Sequence, residues 1–179
     1  MNRELDTDGF DTLMRSLDPP LVVVTTAVDG EQGGCLVGFH AQSSIEPGRY
    51  SIWLSKANHT YRLALRSTHL AIHFLAEDQL PLAEVFGTLS GDDVDKFEGF
   101  ATDLGAGQVP MLGDAPNRLV VRRVALLDEG GDHVCITTEP IAAQTAGSFR
   151  PLRLSQAAGL VPGHENEERN NPPTERAAS

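Results

Sequence analysis

The run Leu21–Val28, LVVVTTAV, followed at once by Asp29-Gly30, constrains this chain more than any other stretch. It is rich in β-branched residues and apolar without alternation, which predicts a strand covered on both faces. Asp-Gly favours a tight hairpin because both positions accept positive φ. The continuation Glu31-Gln32-Gly33-Gly34 predicts a loop longer than two residues before the chain returns. A doubly covered strand that turns back on itself calls for an antiparallel sheet with further layers packed against it.

The rest of the pattern agrees with that demand. Leu36–Phe39 continues the returning strand, and Glu46-Pro47-Gly48 has turn chemistry. Tyr50, Ile52 and Leu54 alternate with Ser51, Trp53 and Ser55, so Arg49–Ser55 reads as a strand with one buried face. Leu70, Ile72 and Phe74 mark a central strand over 69–75. Arg118–Leu127 and His133–Glu139 read as two strands joined by Asp128–Asp132, and Leu152–Leu154 as a closing edge strand. Phe10, Leu13, Met14 and Leu17 recur at helical spacing, which predicts a short helix packed on the sheet. Two more helices are expected: Asn58–Arg66, with Tyr61, Leu63 and Leu65 inward, and Ala76–Gly87, with Glu77 and Asp78 in its first turn. Residues 88–114 are glycine-punctuated and aperiodic, as functional loops often are. The count is six or seven strands with two or three short helices: a mainly β, hairpin-connected barrel over residues 1–161, followed by a polar, proline-containing tail over 162–179 expected to be disordered.

Composition excludes several function classes. The chain has 179 residues and a formal net charge of −11, which argues against a nucleic-acid partner, since a phosphate backbone needs a basic face. No apolar run is long enough to span a membrane. The start Met1–Asp11 is acidic and polar and does not read as a signal peptide, so a cytoplasmic protein is expected. Cys35 and Cys135 lie inside predicted strands and read as structural thiols, one disulfide being the alternative. No metal-ligand spacing stands out.

The polar residues that could serve a ligand concentrate between Gly33 and Thr60. Lys56, Asn58 and Thr60 bring a cation, an amide and a hydroxyl to the point where a strand hands over to a helix, and free N–H groups at a helix start favour an anion such as phosphate. Gln42, Ser43 and Ser44 could offer polar groups to the edge of a ring. His40 and His73 fall on strands and read as core or half-buried residues. Trp53, the only tryptophan, could stack on a ring or fill an interface.

The order and spacing of these pieces resemble the flavin reductase-like family from about Phe10 to about Leu160. The residues that carry the resemblance are Pro20–Thr26, Asp29-Gly30, Gly33-Gly34, Ser44-Ile45-Glu46-Pro47, Leu54-Ser55-Lys56…Thr60, Leu70–Leu75, Leu82-Ala83…Phe86, Asp95-Lys96-Phe97 and Gly131-Asp132-His133. The resemblance implies an FMN-binding split β-barrel, homodimeric, with flavin at the subunit interface and FAD as an alternative cofactor. It implies NAD(P)H as a transient hydride donor, which fits the lack of a G-x-G-x-x-G fingerprint. It further implies delivery of reduced flavin to a monooxygenase partner. By the same resemblance Gln42, Ser43, Ser44, Ser55, Lys56, Asn58, Thr60 and Lys96 bind the cofactor, and His133 serves catalysis beside the nicotinamide. The chain departs from the family pattern at Leu36 and Gly38, where hydroxyls are common, and at Gly33, Gly48 and His73. Those departures keep open a flavin carrier without turnover. A flavin- or deazaflavin-dependent enzyme acting on its own small substrate, and a purely structural domain, are further alternatives.

Overall fold

The computed structural model describes residues 7–161; the tail expected over 162–179 and residues 1–6 lie outside the described residues. Strand β1 (Val22–Val28) pairs antiparallel with β2 (Glu31–Val37), Val28 opposite Glu31. The turn is therefore Asp29-Gly30 alone, with φ of 53° and 83°. This corrects the longer loop expected from the glycines that follow: two successive positive φ values match the strand twist, so the ladder closes immediately. Gly33 and Gly34 lie inside β2, where added Cβ atoms would meet Leu63 Cδ1 and Phe86 Cε1, each at 2.6 Å. Their small size answers to the helices packed above them, not to a turn.

One seven-stranded antiparallel sheet follows, in the order β2-β1-β5-β8-β9-β4-β3. The remaining members are β3 (His40–Ser44), β4 (Arg49–Ser55), β5 (His69–Phe74), β8 (Arg118–Leu127) and β9 (His133–Gln144). The sheet curls so that Val22, Val24, Ile52, Leu54, Leu70, Ile72, Val121 and Ile136 meet inside it. Helix α2 (His59–Arg66) adds Ala64 to that interior. The other face of β1 carries Val23, which joins Leu82, Ala83 and Phe86 of α3 (Leu80–Thr88). β1 is thus covered on both sides, and each fully buried aliphatic contributes roughly 1.5–3 kcal/mol by leaving water.

Several expected elements form with altered limits. Helix α1 (Thr7–Leu17) forms where the spacing predicted it, yet it buries no residue. Phe10, Leu13, Met14 and Leu17 are 42–69% exposed, so the helix does not pack on the sheet of its own chain. In α2 the buried residues are Thr60, Leu63 and Ala64, whereas Leu65 faces solvent. Helix α3 begins at Leu80, so Glu77 and Asp78 precede it in a turn that Gln79 closes through its Oε1 to the Ala76 N–H. The glycine-rich stretch contains a small ribbon, β6 (Thr102–Leu104) with β7 (Pro110–Leu112), that periodicity could not reveal in three-residue strands. Leu152–Leu154 is not an edge strand. Leu152 instead donates to the Leu75 carbonyl and accepts from the Leu21 N–H, wedged fully buried between the ends of β1 and β5. Cys35 and Cys135 are both free thiols, which removes the disulfide alternative.

The ribbon is fastened by polar groups from the core. Thr25 Oγ1 donates to the Pro110 carbonyl at 2.6 Å. His73, fully buried, donates from Nδ1 to the Val23 carbonyl at 3.2 Å and accepts at Nε2 from the Leu112 N–H at 3.0 Å. Accepting that bond requires a neutral ring, and burial pushes the His73 pKa from 6.5 down to about 4. The unfolded chain then binds the proton more tightly than the folded one, so stability is complete above pH 6.5 and falls as pH drops toward 4. We expect this to remove on the order of 3 kcal/mol across that window. His73→Asn should flatten that part of the pH dependence, measured by urea unfolding from pH 4 to 7; an unchanged slope would rule the imidazole out as its source.

Candidate functional site

Three neighbourhoods gather the predicted residues. The first lies where β4 ends and β9 begins, because Ser55 pairs with His133. Ser55, Trp53 and Ser51 share the outer face of β4, with Ile52 and Leu54 turned inward. On β9 the outward residues are His133, Cys135 and Thr137. Exposed Phe39, just before β3, meets the His133 ring edge-on with centroids 5.1 Å apart. Lys56 follows Ser55 and forms an ion pair with Asp128 of the β8–β9 loop, Nζ to Oδ1 3.0 Å. Asp132 from the same loop accepts from His133 Nδ1 at 2.7 Å. The Gly130 N–H, and after it Lys56, holds the Asp128 carboxyl below the usual carboxylate range.

The second neighbourhood is the start of α2. Asn58 is its N-cap residue, but its side chain makes no cap bond and is left for other partners. Thr60 is buried and hydrogen-bonds the Cys35 thiol, whose pKa burial pushes up to about 11. Lys96 lies against the same wall, together with Phe86 and Ser90. It is 6% exposed and donates to the carbonyls of Gly34 at 3.0 Å and Phe86 at 3.2 Å. Desolvation lowers its pKa. So the structure brings Asn58, Thr60 and Lys96 together, but Thr60 and Lys96 are engaged inside the wall.

Sequence inspection missed the adjoining cleft, about 380 Å³, bordered by the β1–β2 hairpin, His59 and residues 91–97. A chain of polar contacts runs along its rim: Arg66 to Glu31 at 2.9 Å, Glu31 to His59 Nε2 at 3.3 Å, and His59 Nδ1 to Asp92 at 2.9 Å. Arg62 closes the chain on Asp92 and is the main cause of that carboxyl's lowered pKa. The signal was faint but present: His59, Arg62 and Arg66 lie at helical spacing on one face of α2.

Gln42, Ser43 and Ser44 form the third neighbourhood, on β3. Ser51 Oγ donates to Ser43 Oγ at 2.8 Å and lies 3.2 Å from Thr137 Oγ1, a row of hydroxyls crossing three strands. Gln42 bonds the Ser44 carbonyl. Ser51 stands four residues before Ser55 on β4, roughly 14 Å at the rise of an antiparallel strand. A ligand touching both groups must extend along the strand. Of the departures noted above, Leu36 packs against α3, where a Cβ on Gly87 would meet its Cδ2 at 2.9 Å. His40 donates to the Pro20 carbonyl and accepts from the Tyr50 hydroxyl, and burial lowers its pKa.

A curled antiparallel sheet with a helix at one mouth, and a polar outer face leading to that helix's start, is the FMN-binding split-barrel architecture. The sequence matches the flavin reductase-like domain over residues 14–156, and the chain belongs to that family. The flavin reductase HpaC, in complex with NADP+, aligns with a TM-score of 0.70 at 22% identity, over 83% of this chain and 97% of its own. An FMN-binding protein of Thermus thermophilus with bound p-hydroxybenzaldehyde aligns at 0.67 and 23% identity over 72% of each chain. A candidate oxidoreductase of Sinorhizobium meliloti aligns at 0.72 and 20% identity over 83% of this chain, which spans 50% of that protein's length. These likenesses concern the fold.

The wall between cleft and core tolerates little. A Cβ on Gly34 would meet two Phe86 ring atoms at 2.6 and 2.9 Å. Gly34→Ala should cost about 1–3 kcal/mol, the range for an overpacked core, and should also disturb the Lys96 anchor. Chemical denaturation checks this, and an undiminished midpoint would show that the Phe86 ring moves aside freely.

Proposed function

We propose that the protein is an NAD(P)H-dependent flavin reductase that binds FMN, with FAD as the alternative, and works in the cytoplasm as a homodimer. The supporting observation is that Ser55, Lys56 and His133 meet at one end of an outer face carrying Phe39 and Trp53, in a chain of this family. That donor set suits a planar ring joined to a phosphate: aromatic groups for the ring, a cation and the uncapped Asn58 amide for the anion.

When bound, flavin supplies the hydride-accepting chemistry. The chain supplies position and protons. Lys56 and Asn58, at the start of α2, hold the anionic end. Phe39 and Trp53 cover the ring and exclude water. Asp132 accepts from His133 Nδ1, which fixes the tautomer and leaves Nε2 as the atom that takes or gives a proton. Lys96 acts from behind the wall, its ammonium fixed by the Gly34 and Phe86 carbonyls. Ser43 and Ser44, with Gln42, serve the far end of an extended ligand. Reduced flavin passes to a monooxygenase partner. The exposed apolar stripe of α1, together with exposed Phe39, Leu127 and Ile141, supports the homodimer, since so much apolar surface is costly to leave in water. A flavin carrier without turnover is the second reading, favoured by the apolar role of Leu36.

The deciding experiment is an absorption spectrum with added FMN, followed by anaerobic NADH or NADPH. A bound-flavin spectrum that bleaches at enzymatic rates is expected; binding without bleaching moves the assignment to the carrier. Lys56→Ala should weaken FMN binding by about 1–3 kcal/mol. His133→Ala should slow reduction while leaving FMN affinity nearly intact, and equal turnover would return His133 to a merely structural position.

A further inference from the structure

Lys56 and His133, at the β4–β9 end, both face carboxylates of one short loop. Asp128 Oδ1 lies 3.0 Å from Lys56 Nζ, and Asp132 Oδ1 lies 2.7 Å from His133 Nδ1. The two pairs are not equivalent. Asp132 precedes His133 in the chain and orients a ring, whereas Asp128 reaches across from the far side of the hairpin to the ammonium assigned to an incoming anion. The Asp128 carboxylate is held in place by the Gly130 N–H at 2.9 Å, and Gly130 has φ of 87°, a turn that glycine adopts without strain. The Lys56 side chain is 22% exposed and that of Asp128 44% exposed, so the pair lies at the surface of the site. The backbone ties the same place together, the Lys56 N–H donating to the Asp132 carbonyl at 2.9 Å.

We infer that Asp128 is a specificity-determining residue: a built-in anion seated on Lys56 where a ligand's phosphate would go. The inference rests on the flavin assignment above and extends it to a choice among ligands. A phosphate-bearing ligand must displace a carboxylate that is already paired, so part of its attraction to Lys56 is offset by the pair it breaks. A ligand with the same ring and no phosphate meets no such competitor. Asp128 therefore narrows the preference for FMN over riboflavin that Lys56 would otherwise supply.

The test compares FMN with riboflavin on the full chain by flavin fluorescence quenching, for the unmodified protein, Asp128→Asn and Glu129→Gln. Asparagine keeps an oxygen for the Gly130 N–H and loses only the charge. Glu129→Gln removes a charge from the same loop without touching the Lys56 pair. Asp128→Asn should tighten FMN binding on the order of tenfold, leave riboflavin unchanged, and differ from Glu129→Gln, which should shift neither ligand. Equal shifts for FMN and riboflavin, an equal effect of Glu129→Gln, or no change in FMN affinity would each overturn the inference. If no form binds either flavin, the reductase assignment fails on its own, and inorganic pyrophosphate followed through the Lys56 amide resonance decides the question. Tighter pyrophosphate binding by Asp128→Asn upholds Asp128 as the competing anion, and equal binding rejects it.

Discussion

Everything in this fold leans on the double cover of β1. Its backbone is hydrogen-bonded on one edge to β2 and on the other to β5, while its side chains fill the sheet interior on one face and the α3 layer on the other. A strand so enclosed has no solvent to satisfy stray polar atoms, which is why Thr25 and Thr26, both fully buried, each donate to a carbonyl: Pro110 for the first and His69 for the second. Those bonds reach outward to the ribbon and to the start of β5. Once β1 is fixed, the glycine-rich segment, α2 and α3 have little freedom left.

The candidate ligand groups sit at the margins of that rigid frame, and the basic side chains among them lie beside carboxylates. Lys56 is paired with Asp128, His133 with Asp132, and His59 with both Glu31 and Asp92. In a chain with a formal net charge of −11 this is expected, since carboxylates outnumber basic groups. The consequence is that attraction for anions is local and conditional. Arg123 shows the structural use of the same economy, donating to the Ala64 and Leu65 carbonyls at the end of α2, where a cation is favoured.

The long strands and the helices were legible because an apolar run, as in β1, or alternation over seven residues, as in β4, is a strong signal. Their ends were less so: α3 starts at Leu80 because Gln79 folds back on Ala76, a local bond that no apolar pattern encodes. The ribbon β6–β7 is too short to show alternation. In the candidate site, Lys56, Ser55 and His133 could be grouped from sequence by the order of the motifs. The commitments of Lys96 and Thr60 could not, because the carbonyl of Gly34, the carbonyl of Phe86 and the thiol of Cys35 lie far away in the chain. The failure of α1 to pack on its own sheet was equally hidden, since an amphipathic stripe looks the same whether its partner lies within the chain or outside it.

Leu152 takes its place between Leu21 and Leu75 by donating to Leu75 and accepting from Leu21, so a segment made well after β5 completes the beginning of the first strand. Contacts separated by that much chain form slowly, because the loop between them must close first. During translation the β1 end of the sheet stays unfinished until residue 152 has cleared the ribosome. Until then the nascent chain carries an unfinished β1 end, an interval in which chaperone protection has the most to offer.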